Sequence, residues 1–180
     1  MTKFISLLRG INVSGHKKIK MTDLKELFEK LGHGDVTTYI QSGNVIFSSN
    51  EQIELIKDNI EKAIEKNYAF SVKVLVKPAA DFPNILEKMP FKNVTVEKDG
   101  SKILVTFLSE KPTAPDIEIF KEKALPSEKL IFADQLFYLH CPDGYGKTKL
   151  SNEYIERKLK TSATTRNLKT VAKLCELSAD

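Results

Sequence analysis

The order of its periodic segments constrains this chain more than any single motif. KFISLL (3–8) has the length and apolar content of a buried strand. TDLKELFEKLG (22–32) sets Leu24, Leu27, Phe28 and Leu31 at i, i+3, i+4 and i+7. That spacing predicts an amphipathic helix, with Thr22 as N-cap and Gly32 as its stop. DVTTYIQ (35–41) and NVIFSS (44–49) are expected strands, joined by Ser42-Gly43, where glycine tolerates the positive φ of a tight turn. A helix over 49–67 follows, striped by Ile53, Ile56, Ile60 and Ile64, with Ser49 and Gln52 at capping-box spacing. SVKVLVK (71–77) is a further strand, ended by Pro78.

Strand–helix–strand–strand–helix–strand is the split βαβ, or ferredoxin-like, order. A connector with Pro78, Pro83 and Pro90 and one short helix over 82–88 leads to a second series. There the patterns predict a strand (102–109) and a helix (113–125) with Thr113 as cap and Pro115 in its first turn. Two strands follow (128–134 and 136–141), turning near Asp134-Gln135, then a helix (151–159). A last helix (166–177) stands where a fourth strand would complete the repeat, with Leu168, Val171, Ala172 and Cys175 as its buried stripe. The expected fold is α+β, with duplicated ferredoxin-like lobes whose antiparallel sheets carry packed helices. The expected boundaries are 1–78, a connector 79–100, and 101–180. FISLL and ILVTFL are apolar on both faces, so the second face of each sheet needs a cover, from the other lobe or from a partner chain.

Composition narrows the function classes. Hydrophobic residues at 41% and charged residues at 29% describe a folded chain with a core, and the apolar runs are far short of a membrane span. The first residues lack the pattern of a signal peptide, and two cysteines, Cys141 and Cys175, make no disulfide framework. The expectation is a reduced, cytoplasmic protein without a membrane partner. Net charge is +4, and residues 1–20 carry five Lys/Arg and no acid. Residues 141–180 carry eight Lys/Arg against five acids. If those ends meet, they form one positive region attractive to anions. Only three of the 28 basic residues are arginines: Arg9, Arg157 and Arg166. Arginine suits bidentate recognition of phosphate or carboxylate, whereas lysine-rich surfaces are common and by themselves weak grounds for nucleic-acid binding.

Four stretches hold candidate ligand-binding residues. LLRGINVSGHKKIK (7–20) ends a strand at Arg9 and turns through Gly10 and Gly15, with Asn12, Lys17 and Lys18 in a loop whose amides can form an anion-binding nest. The alternative is a glycine-shaped connection with solvated lysines. YIQSGNVIF crowds Gln41, Ser42 and Asn44 at a hairpin tip, residues that turn chemistry explains unaided. CPDGYGKTKLSN offers Lys147 and Lys149 over a glycine-containing loop. It is not a P-loop, because Cys141 stands where the first glycine belongs and the helix begins only near Ser151. TTRN, read as the opening of the last helix, offers Thr165, Arg166 and Asn167 at a helix N-terminus. The three histidines and two cysteines lack zinc spacing, and His140 and Cys141, as strand neighbours, point to opposite faces. No catalytic residue, metal site or cofactor is implied. Nor is the RNA-recognition aromatic pattern present; Phe47 is expected in the core.

LLRGINVSG, TYIQSGNVIF, GKTKLSN and ATTRNLKTVAKL, in this order and spanning nearly the whole chain, resemble the bacterial family of domain of unknown function 1697 (DUF1697). Ser14 stands where that pattern prefers glycine, and Leu168 where it usually has tryptophan. The resemblance implies a duplicated ferredoxin-like fold and no activity. It marks Arg9, Gly10, Asn12, Tyr39, Ser42, Gly43, Asn44, Lys147, Lys149, Thr165, Arg166 and Asn167 as motif positions. The functional expectation is a small phosphate- or carboxylate-bearing ligand held by Arg9, Lys17 or Lys18, Lys147 or Lys149, and Arg166 in a cleft between the lobes. The alternatives are weak nucleic-acid binding by a basic surface and a structural or homo-oligomerising module without ligand.

Overall fold

The computed structural model describes residues 1–113 and 117–179, in two compact units. The first comprises Met1–Asn84 with the residues from Leu174 onward, and the second Ile85–Lys173.

The first unit runs β1 (Thr2–Leu8), α1 (Met21–Lys30), β2 (Gly34–Tyr39), β3 (Asn44–Ser49), α2 (Ile53–Tyr68) and β4 (Val74–Pro78). Its antiparallel sheet has the order β2-β3-β1-β4, as the split βαβ order requires. The helical stripes pack as their spacing predicts: Leu24, Leu27 and Phe28 of α1, and Ile56, Ile60 and Ile64 of α2, join Phe4, Leu8, Val45 and Phe47 in one core. Phe28 meets Phe47 edge-on at 5.2 Å. The expected caps differ. α1 begins one residue before Thr22, with Lys20 at the N-cap position, and Gln52, not Ser49, takes that position in α2. Ser49 Oγ instead accepts from Glu51 N–H at 3.1 Å.

The second unit contains α3 (Phe82–Glu87, begun in the first), α4 (Val96–Asp99), β5 (Ile103–Leu108), α5 (Ile117–Lys123), β6 (Lys129–Ala133), β7 (Leu136–His140), α6 (Asn152–Leu159), β8 (Ala163–Asn167) and α7 (Leu168–Leu177). The expected start of α5 at Thr113 and Pro115 runs into residues 114–116, outside the described residues. β8 corrects the sequence reading. Thr164 and Thr165 do not open the last helix; residues 163–167 form a fourth strand, paired antiparallel with β5 from Leu104↔Asn167 to Leu108↔Ala163. β-branched threonines suit that pairing as well as they suit a cap, and only the neighbouring strand decides. The sheet order β6-β7-β5-β8 therefore repeats that of the first sheet. In α7 the fully buried positions are Leu168, Val171 and Leu174, whereas Cys175 is half-buried. Phe4–Leu8 of β1 and all of β5 are buried, as strands apolar on both faces must be.

Candidate functional site

Strand register brings most of the first-unit candidates to one end of the sheet. β1 and β3 are antiparallel with Leu7 opposite Asn44, and Leu8 N–H donates to the Gly43 carbonyl at 2.8 Å. The end of β1 and the β2–β3 hairpin tip therefore coincide. Arg9 continues the pairing on the other side, its N–H donating to the Lys73 carbonyl at 2.9 Å. The chain then turns through a loop with positive φ at Gly10, Asn12, Ser14, Gly15 and Lys17. Ser14, at φ 49°, holds a conformation glycine adopts most readily. The loop closes on itself: His16 N–H donates to Val13 at 2.9 Å and Asn12 N–H to Lys17 at 3.2 Å.

Asn12 ties this loop to the hairpin. Its Nδ2 donates to the carbonyls of Ile19 (2.9 Å) and Gln41 (2.8 Å), and its Oδ1 accepts from Ile19 N–H (2.9 Å). On the hairpin side, Asn44 is fully buried and its Nδ2 donates to the Tyr39 carbonyl and to Ser42 Oγ, so its amide closes the turn. Lys17 Nζ donates to the Ser71 carbonyl at 2.8 Å. A groove of about 610 Å³ lies where loop, hairpin and helix start meet, lined among others by Asn12, Lys18, Lys20, Thr22 and Gln41. No side chain caps α1. Its first-turn amides and positive dipole end thus lie beside two exposed lysine side chains, Lys18 and Lys20, which make no hydrogen bond or ion pair among the described residues. Lys20 and Thr22 were not among the sequence candidates; the reading of Thr22 as a cap concealed that the helix starts with its amides open.

In the second unit, Lys147 and Lys149 are exposed in the β7–α6 connection, where residues 145–147 make a single tight turn. α6 starts at Asn152, with Ser151 Oγ accepting from Tyr154 N–H at 3.2 Å, so the α-helix does not begin at the GKT string as a P-loop would require. Thr165 and Arg166 sit on β8, not at a helix start. Thr165 Oγ1 bonds Thr106 Oγ1 (2.7 Å) and donates to Asn152 Oδ1 (2.6 Å). Arg166 is buried, with Nη1 donating to the Thr165 carbonyl at 2.9 Å. Burial pulls its pKa down to about 10, which leaves it cationic at neutral pH. Asn167 does cap α7: its Oδ1 accepts from Thr170 N–H at 2.8 Å. Among the described residues no group of three or more His, Cys, Asp or Glu could hold a metal ion, and no helix is long and apolar enough to cross a membrane.

No curated protein matches this chain. Among solved structures it is similar to the conserved bacterial protein SP0830 from Streptococcus pneumoniae, at 27% identity over 98% of both chains and a TM-score of 0.71. A family model matches residues 1–138, which include the loop 9–20 and the hairpin tip, and the chain thereby belongs to the family described as protein of unknown function DUF1697.

Proposed function

We propose that this protein binds a small phosphate- or carboxylate-bearing ligand at the groove between the β1–α1 loop and the β2–β3 tip. The observation that carries this reading is the junction itself. Asn12 fastens loop to hairpin beside the uncapped start of α1, and Lys18 and Lys20 flank the opening. Open helix amides, the dipole and paired lysines all favour an anion at one place. Arg9, Lys17, Gln41, Ser42 and Asn44 hold or border that junction. Lys147, Lys149, Thr165, Arg166 and Asn167 lie on the second unit, and their role in anion binding is part of the same proposal. No reaction is implied.

The test is thermal unfolding against phosphate, sugar phosphates, nucleotides and short RNA at two salt concentrations. A ligand at about 100 times its Kd adds about 2.7 kcal/mol, which for a chain of this size raises Tm by roughly 5–10 °C. The expected result is a shift with one class of small anion, lost in Lys18→Ala and Lys20→Ala. Loss instead in Lys147→Ala and Lys149→Ala would assign the anion to the second unit. A shift with RNA alone that vanishes at high salt would replace this reading with nucleic-acid binding. No shift with any compound would overturn it and favour a module without ligand.

A further inference from the structure

A second groove, of about 890 Å³, lies wholly in the second unit along β6. β6 is an edge strand of its sheet. Which of its backbone groups face outward follows from the hydrogen bonds on the far side of β7. Cys141 N–H donates to the Lys102 carbonyl and Leu108 N–H to the Gln135 carbonyl, so odd-numbered residues of the β7 segment turn toward β5. Even-numbered ones turn toward β6, which makes Ala133↔Leu136, Ile131↔Tyr138 and Lys129↔His140 the hydrogen-bonded pairs. Leu130 and Phe132 therefore direct N–H and C=O to the open edge. Beside that edge, Ile131 is 40% exposed, a large apolar side chain on a strand with nothing paired outside it among the described residues. The Phe91 ring, 5.6 Å from His140, lines the same groove.

The charges of the groove are unequally committed. Asp99 Oδ2 accepts from Thr95 N–H (3.0 Å) and Glu128 Oε2 from Leu125 N–H (2.9 Å), so both carboxylates serve their own loops. Lys121 pairs with Glu118 at 2.8 Å. The Lys92 and Lys129 side chains are exposed, line the groove, and make no hydrogen bond or ion pair among the described residues. An open strand edge, an apolar and aromatic trough and two uncommitted lysines together suit one kind of occupant. We propose that the β6 edge docks an acidic peptide segment of a partner protein in extended form, adding it as a fifth strand at Leu130–Phe132 with acidic side chains toward Lys92 and Lys129.

The experiment pans a phage-displayed random 12-residue peptide library on the full-length chain. Selected peptides are then measured by fluorescence anisotropy, with amide hydrogen exchange of the complex. The expected result is enrichment of acidic peptides with alternating β-branched residues, whose binding falls at least about fivefold in Lys92→Glu and in Lys129→Glu. Both lysines are exposed, so these variants should keep the wild-type circular dichroism spectrum and Tm. The Leu130 and Phe132 amides gain protection on binding; Leu130→Pro, which removes one of those donors, abolishes it. Enrichment of no peptide, enrichment of neutral or basic ones, or affinity indifferent to both lysine reversals would overturn the proposal. So would protection of the same amides without peptide in a dimer seen by sedimentation, which would make the occupant a second copy of this chain.

Discussion

Asn12 Nδ2 donates to the Gln41 carbonyl at 2.8 Å across 29 residues of sequence, and this bond holds the β1–α1 loop against the hairpin tip. With the two bonds to Ile19 it makes one side chain the fastener of the groove. Asn12 also sits at φ 56°, a conformation asparagine tolerates better than most residues. Asn12→Ala should lose three hydrogen bonds and gain backbone strain, costing about 2–4 kcal/mol in urea unfolding. A cost below about 0.5 kcal/mol would mean that the bonds are not formed in solution.

Gly43 is the steric counterpart of that fastener. Its φ is +78°, and a Cβ there would meet Ile11 Cδ1 at 2.6 Å and Leu8 Cβ at 2.9 Å. Gly43→Ala is therefore strained in backbone and overpacked at once, and should destabilise the chain by about 2–4 kcal/mol. Gly15→Ala, with positive φ and open space, should cost only about 1 kcal/mol. Equal Tm losses for the two would contradict the packing argument.

His33 predicts an acid sensitivity. It is buried against Phe28 and Phe47, its Nε2 makes no hydrogen bond among the described residues, and burial lowers its pKa while the Glu51 carboxylate pulls the other way. The unfolded chain takes up a proton near pH 6.5, where the folded chain still does not. Stability is thus fully present above about pH 6.5, declines as pH falls toward the lower folded value, and then levels. In His33→Phe that part of the slope should vanish, at a cost at neutral pH of about 1 kcal/mol or less, since no hydrogen bond is lost. Chemical unfolding from pH 5 to 7.5 checks both; an unchanged slope in the variant would clear His33 of the effect.

The two thiols should differ sharply. Cys141 is buried, and burial together with the Glu128 carboxylate pushes its pKa up to about 12. Cys175 is half-buried. A disulfide reagent at pH 8 should titrate one thiol in the native protein and two after unfolding, and Cys175→Ser should leave none reactive in the native state. Rapid modification of Cys141 in the folded chain would show that its segment opens readily.

A buried hydroxyl gives a fifth prediction. Tyr138 Oη donates to the Ile85 carbonyl at 3.1 Å, and burial raises its pKa to about 12. Tyr138→Phe should cost about 1–2 kcal/mol by leaving that carbonyl unpaired. Tyrosine absorbance should show Tyr138 resisting ionisation until the chain unfolds in alkali, a step that Tyr138→Phe removes.

Much of the architecture is local information. The stripes of α1 and α2, the hairpin turns and the apolar strands are set by spacings within a few residues, and they suffice for the α+β class; the likeness to the DUF1697 family rests instead on the motif strings such as LLRGINVSG and TYIQSGNVIF. The motifs also contain the residues that build the groove at Asn12 and Gln41. Other features are long-range. Thr164 and Thr165 carry cap chemistry and strand chemistry equally, and pairing with β5 makes them β8. The register Leu7↔Asn44 brings loop and hairpin tip to the same end, which no local pattern encodes. Lys20 stands at the uncapped start of α1, and Lys129 on the edge strand β6. Sequence determined the periodicities, because they depend on each residue's near neighbours. Tertiary structure alone decided which amides, edges and charges remain open to a ligand, because that depends on the pairing of segments distant along the chain.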